Sequence, residues 1–156
     1  MSDSVKKSIL VQAPAEVAFR VFTQFKNWWP LDSHHIGKAK AIDAKIEPKV
    51  GGRWYEIGDD GSECDWGHVL AWEPGKRIHL TWEIDADWKP DPSMKSEVEI
   101  RFIAESPTTT RVELEHRRLE AFGGRAAEIK GILDSEGGWN GLLQGFKKIA
   151  EQKSGG

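Results

Sequence analysis

A single change of hydrophobic period constrains this chain more than any other feature. From Ala41 to Arg118 apolar residues recur at every second position between closely spaced turn signals, and after Gly123-Gly124 they recur at helical spacing. Clean alternation marks antiparallel strands with one buried and one wet face. Ile42, Ala44 and Ile46 precede Pro48 and Gly51-Gly52, Arg53 to Ile57 runs into the turn Gly58-Asp59-Asp60-Gly61, and Cys64 to Glu73 ends at Pro74-Gly75. Arg77 to Ile84 sets Ile78, Leu80, Trp82 and Ile84 on one face. After a loop over Asp85 to Pro92, Ser96 to Ala104 turns Val98, Ile100 and Phe102 inward, and Thr110 to His116 does the same with Val112 and Leu114. Ahead of these, Lys6 to Gln12 reads as a first strand around Ile9 and Val11. Pro14 to about Phe25 has the spacing of a short amphipathic helix, and Pro30 disfavours helical geometry at Trp29.

A sheet apolar on one face must bury it, and the segment carrying Ile129, Ile132, Leu133, Leu142, Leu143, Phe146 and Ile149 is the large partner available. The expectation is an α+β fold. A six- to seven-stranded curved antiparallel sheet wraps around a long C-terminal helix, with one or two short helices after the first strand. Gly138, Gly141 and Gly145 share one stripe of that helix, where small side chains facing the sheet would leave a hollow. A break near Gly137-Gly138 is the alternative. No linker or repeat divides the chain, so 1–156 reads as one domain with soft ends at about 1–4 and 153–156.

Composition removes several function classes. One cysteine, Cys64, excludes an intramolecular disulfide framework and a paired-cysteine zinc site. No apolar run approaches the roughly eighteen residues needed to span a bilayer, and the start MSDSVKKSILVQAP has no adequate apolar stretch for a secretory signal. A net charge of −3, from 22 basic and 25 acidic residues, offers no general attraction to phosphate backbones. The expectation is a cytoplasmic protein without nucleic acid, membrane insertion or cofactor. Asp32, His34, His35, Cys64, Asp65 and His68 make no recognisable metal motif. Cys64 and His68 share strand parity but lie about 13 Å apart at 3.3 Å per residue.

What remains is a pattern of tryptophans with a few polar neighbours. On the strand from Cys64 to Glu73, apolar weight turns Trp66, His68, Leu70 and Trp72 inward; one strand earlier, an inward Trp54 brings Glu56 with it. This gives an aromatic cavity with sparse polar handles, Glu56, His68 and His116, as small-molecule pockets are built. In the loop from Trp28 to Gly37, His35 is favoured over His34 to reach inward, because Ile36 follows it and needs burial. The candidate ligand-binding residues are His35, Trp54, Glu56, Trp66, His68, Trp82, Gly138 and Gly141, around a small apolar or amphipathic molecule held between sheet and helix. An alternative use of the same cavity is acid/base catalysis by Glu56 with a histidine.

Four blocks in order carry a resemblance: APAEVAFRVFTQFKNWW, then IEPKVGGRWYEIGDDGSECDWGHVLAWEPGKRIHLTW, then SEVEIRFIAESPTTTRVELEH, then GGWNGLLQGFKKIA. Over about residues 8–150 the chain resembles the activator-of-heat-shock-ATPase homologue family of the START and birch-pollen-allergen-like superfamily. The resemblance implies a helix-grip fold. It implies no single activity, because the superfamily holds carriers, receptors, cyclases, hydrolase-like members and co-chaperone domains. The family name points to a further alternative, a module that stimulates a chaperone ATPase through its surface, which an apolar patch at Trp28, Trp29 or Trp88 would favour. The additional N-terminal domain of the full eukaryotic co-chaperone is not represented in these 156 residues. The expected state is a monomer or a homodimer paired through an edge strand.

Overall fold

Alternation becomes a seven-stranded sheet. In the computed structural model, which describes residues 4–155, the strands are β1 (Val5–Val11), β2 (Ala41–Ile46), β3 (Arg53–Gly58), β4 (Glu63–Glu73), β5 (Arg77–Trp82), β6 (Ser96–Ser106) and β7 (Thr109–Arg117). Their order is β1-β7-β6-β5-β4-β3-β2, with every neighbouring pair antiparallel. Helix α1 (Ala15–Thr23) follows β1, and a 3-10 turn at Phe25–Asn27 extends it. Beyond β7 come a 3-10 stretch at Leu119–Arg125, helix α2 (Ala126–Leu133) and helix α3 (Trp139–Gly155). The curled sheet grips the C-terminal helix, as the change of period implied. The soft ends expected at 1–4 and 153–156 fall partly on residues 1–3 and 156, outside the described ones; α3 itself runs on to Gly155. Among the described residues no helix is long and apolar enough to cross a membrane.

The long C-terminal helix is interrupted, and its glycines explain why. Trp139, Leu142, Leu143, Phe146 and Ala150 face the core. Gly138 sits where the chain turns from α2 into α3, and a Cβ there would strike the carbonyls of Ile132 and Leu133. A Cβ on Gly141 would strike the Glu136 carbonyl, and one on Gly145 would press the Trp28 carbonyl at 3.4 Å. The stripe therefore lets backbone approach backbone. It does not open a hollow toward the sheet, which corrects the expectation placed on Gly138 and Gly141.

Regular alternation also fails on β4, where two bulges shift the faces. Register slips between Trp54 and Tyr55 on the β3 side and between Val69 and Ala71 on the β5 side. Each bulge advances the pleat by one residue and sends the following side chains to the other face. Trp66 and Val69 are buried, whereas Leu70 is exposed and His68 only half-buried. Of the set read as inward, Trp66 and Trp72 do face the core, Trp72 packing on Phe19 at 5.2 Å, whereas His68 and Leu70 between the two bulges turn out. Gly67 permits the first bulge, because its Cα lies against the Thr81 carbonyl with no room for a Cβ.

The outer face of β5, β6 and β7 is charged and internally paired. Glu99 accepts from Arg77 at 2.7 Å and from Arg117 at 2.8 Å, with Arg101 at 3.1 Å. Although burial opposes its charge, these guanidinium partners bring its carboxyl down to about 2. We expect Gly67→Ala to lower unfolding free energy by about 2–3 kcal/mol through overpacking against the Thr81 backbone. Gly131→Ala, on an open face of α2 with nothing within 4 Å, should raise it by about 0.5–1 kcal/mol. Urea titration of the two variants beside the parent reads both signs.

Candidate functional site

Folding the sheet around α3 leaves little vacancy between them, because tryptophan rings occupy that space. Trp54 and Trp66 have ring centroids 5.3 Å apart, Trp54 and Trp82 5.8 Å, and Trp82 and Trp139 5.8 Å. Trp29 closes the set against Trp66 at 5.0 Å and Trp139 at 5.9 Å. Trp28 and Trp29 are buried members of this core, not a surface patch, while Trp88 is 39% exposed. The vacant volume lies at one end of the grip. A recess of about 350 Å³ opens there, walled by the loop after α1 (Trp29, His34, His35, Ile36), by Trp66 of β4, by Trp82 and Ile84, by Trp88, and by Ile132 and Gly137 near the helix break.

Glu56 builds the recess without lining it. Its carboxylate is buried, and it accepts from the Ile36 N–H (2.6 Å), the Gly37 N–H (3.0 Å) and the Trp66 indole N–H (2.9 Å). Three donors clamp the loop after α1 onto β3 and lock the Trp66 ring. Gly37 is required for that closeness, since a Cβ there would sit 3.0 Å from Glu56 Oε2 and 3.1 Å from Cys64 Sγ. Burial and the charges of Glu56 and Asp65 push the Cys64 thiol up, so this cysteine is held in its weakly nucleophilic form.

The two loop histidines have different commitments. His34 Nε2 lies 2.7 Å from the Gly137 carbonyl and His34 Nδ1 2.7 Å from Ser33 Oγ. The carbonyl can only accept, so His34 donates to it from Nε2 and ties the loop to the turn before α3. His35 spends Nδ1 on the Gly37 carbonyl at 3.0 Å. That bond leaves Nε2 without a partner among the described residues, on a side chain that lines the recess.

Behind the recess floor lies His116, fully buried. Indole nitrogen can only donate, so Trp139 Nε1–H at 3.0 Å makes His116 Nδ1 an acceptor and leaves the proton on Nε2. That N–H donates to Ser96 Oγ at 2.8 Å, whose hydroxyl reaches the Trp82 carbonyl at 3.3 Å. Burial pushes the imidazole down to about 3. His116 is a neutral brace beneath Trp82, whose ring centroid is 5.0 Å away.

The residues named from the sequence therefore separate. His35, Trp66 and Trp82 meet at the recess. Trp54 lies behind its floor, Glu56 behind its wall and Gly138 in helix-turn packing, while Gly141, set against the Glu136 carbonyl, lines a separate recess of about 300 Å³ with Trp28, Pro30 and Gly145. His68 is carried to the opposite face by the β4 bulge, where Nδ1 pairs with the buried Glu83 at 2.9 Å. Ile84, Trp88 and Ile132 join the recess without having been anticipated; Trp88 carried a signal, a large aromatic in a proline-rich loop. It is held with φ at 62° while the Asp87 and Lys89 N–H groups both donate to Asp85 Oδ1.

Residues 12–151 match the model of the family described as activator of Hsp90 ATPase homolog 1-like protein. No curated protein sequence matches. Among solved structures, the anthrahydroquino-gamma-pyrone synthase Txn09, complexed with SUM, is 39% identical; the match covers 94% of this chain and 96% of that one, with a TM-score of 0.65. The self-sacrificing resistance protein CalC from Micromonospora echinospora is 27% identical over 97% and 96% of the two chains, TM-score 0.72. Protein MLL2253 from Mesorhizobium loti, at 20% identity over 96% and 98% with a TM-score of 0.69, shares the fold.

Two substitutions test these roles. Glu56→Gln replaces one accepting oxygen by an amide N–H₂ that must face at least one of the three donors, so we expect a loss of about 1–3 kcal/mol in stability. For His116, folding excludes a proton that the unfolded chain binds below about pH 6.5, so stability falls as the solution is acidified from there toward pH 3. From pH 6.5 to 5 the loss should reach about 1.7 kcal/mol, its slope rising toward 1.36 kcal/mol per unit as the unfolded histidine takes up its proton. Glu99 adds its own loss only below about 4.5. His116→Gln should flatten the upper window in denaturation curves recorded across that range.

Proposed function

Since this chain belongs to the activator of Hsp90 ATPase homolog 1-like family, we propose that it works as a small-molecule binding protein, taking a flat aromatic ligand into the recess at the open end of its grip. The observation that carries this reading is the wall itself. Trp29, Trp66, Trp82 and Trp88 line it, with Trp88 the exposed ring, Ile36, Ile84 and Ile132 fill between them, and His35 Nε2 stands as an unspent polar group. Ring faces of this kind hold planar apolar molecules by offset stacking, and sparse polar groups orient them. The same wall is why the ligand sits beside α3 at the mouth and not beneath it. We place the protein in the cytoplasm.

A second reading has one observation in its favour, the 39% identity to a synthase over almost the whole chain. Under it the recess promotes a ring closure, and His35 Nε2 moves the proton. Glu56 is unsuited to that task because its oxygens are occupied and out of reach of solvent. Incubation separates the readings. Ligand recovered unchanged supports binding, whereas product made by the parent chain and lost in His35→Gln supports catalysis.

Anthraquinone-2-sulfonate serves as a soluble planar probe. At a hundredfold excess over its dissociation constant it should stabilise the protein by about 2.7 kcal/mol, read as a raised melting temperature and quenched tryptophan fluorescence. Ile132→Arg places a long charged side chain on the recess rim at a half-exposed helix position. We expect it to weaken binding at least tenfold while leaving the melting temperature of the free protein nearly unchanged. Equal binding by both proteins would remove the recess as the site.

A further inference from the structure

The buried tryptophans divide into two groups by what their indole nitrogens find. Six of the eight are buried: Trp28, Trp29, Trp54, Trp66, Trp82 and Trp139. Four of these donate to an acceptor. Trp28 reaches the Phe22 carbonyl at 3.1 Å, Trp29 the His34 carbonyl at 2.9 Å, Trp66 the Glu56 carboxylate at 2.9 Å and Trp139 the His116 ring at 3.0 Å. Trp54 Nε1 is buried with no partner. Trp82, which lines the recess, has no protein acceptor for its indole N–H among the described residues, and unlike that of Trp54 this nitrogen is still reached by solvent, so a ligand filling the recess would cut it off from water. These two are neighbours, their rings 5.8 Å apart at 64°.

An indole N–H removed from water without a partner forfeits a hydrogen bond, and buried tryptophans usually find one. In this core four do. The two exceptions stand together at the floor of the one strongly aromatic recess among those described, Trp82 at the surface of the floor and Trp54 behind it. Sequence supplies no internal remedy there. Buried polar groups around them are already engaged, Glu56 with Trp66, His116 with Trp139 and Ser96 with His116.

We infer that the indole N–H groups of Trp82 and Trp54 are the acceptor-recognition point of the recess, and that its ligand class is a planar aromatic carrying a ring carbonyl. This rests on the aromatic-ligand reading of the recess and sharpens it. The carbonyl oxygen accepts from Trp82 at the floor and, on deeper entry between the Trp82 and Trp66 rings, from Trp54. No bond to carbon forms or breaks. A hydrocarbon of the same outline fills the recess but leaves both donors unpaired, and a site with unpaired buried donors discriminates strongly against it.

Two probes of one shape test this: anthraquinone-2-sulfonate, with two ring carbonyls, and anthracene-2-sulfonate, with none. The affinity ratio of the first to the second is measured for the parent chain, for Trp82→Phe and for Trp54→Phe by fluorescence or calorimetry. The ratio should fall at least tenfold in Trp82→Phe and fall also in Trp54→Phe. In the parent chain, ¹⁵N-correlated spectra should show the Trp82 and Trp54 indole N–H resonances moving downfield with the quinone and not with the hydrocarbon. That second readout uses unmutated protein, so it holds if a variant fails to fold. A ratio unchanged by both substitutions, or indole resonances indifferent to the carbonyl, overturns the inference while leaving the aromatic recess standing. Failure of the parent chain to bind either probe removes the recess reading and this inference with it.

Discussion

A carboxylate taken out of water must be met by donors, and Glu56 is where this chain meets that demand. Its three N–H partners come from two places: the loop after α1 and the Trp66 side chain of β4. Breaking one side of such a buried arrangement leaves a charge uncompensated, which costs several kcal/mol. The clamp therefore fixes loop and ring together, and with them Trp29 and His35. The recess exists at the end of the grip because this loop is pinned there.

The same constraint separates what was legible in the sequence from what was not. Strand and helix periods are written in the apolar pattern, and elements such as β2, β3 and β7 begin and end within about two residues of where alternation and turn residues place them. Facing is written there too, but only while the pleat is unbroken. On β4 it breaks at Gly67, and His68 then leaves the interior although its parity with Trp66 argues the reverse. A glycine within a strand is a hint of a bulge, yet the glycine alone does not say which neighbour will turn out. Glu83 was hidden for the same reason. It reads as a wet residue opposite Trp82, and the distorted edge of β4 buries it against His68 and Thr81.

Glycine spacing on the last helix misled in another way. A stripe of small residues has two physical uses: it vacates volume, or it admits a neighbouring backbone. The pattern i, i+3, i+7 is the same in both. The carbonyls of Ile132, Leu133 and Glu136 decide between them, and those carbonyls are placed by a helix break that the sequence offered only as an alternative. Tryptophan counting was ambiguous for the same reason. Eight of them can line a hollow or fill it. Here most fill it, and the recess is made from the edges and faces left over.

Why the open end is the place for recognition follows from what each other surface has already done. The inner face of the sheet is spent on tryptophan and phenylalanine packing, with Phe22 against Phe102 and Phe146 at 5.8 and 5.3 Å. The outer face has recesses of comparable size, about 310 and 340 Å³, but their walls are charged groups with partners of their own. In the first, Glu99 and Arg101 pair; in the second, Arg53 is held by Glu63 and Asp65, and Glu83 by His68. A ligand engaging these paired groups must displace a hydrogen bond for each one it makes. At the mouth the balance is reversed. Trp88 and Ile132 stand open to water beside the edges of the buried rings, and His35 Nε2 and the Trp82 indole are polar groups without partners among the described residues. A planar apolar ligand gains there by covering rings, and a carbonyl oxygen on it gains again without breaking anything first.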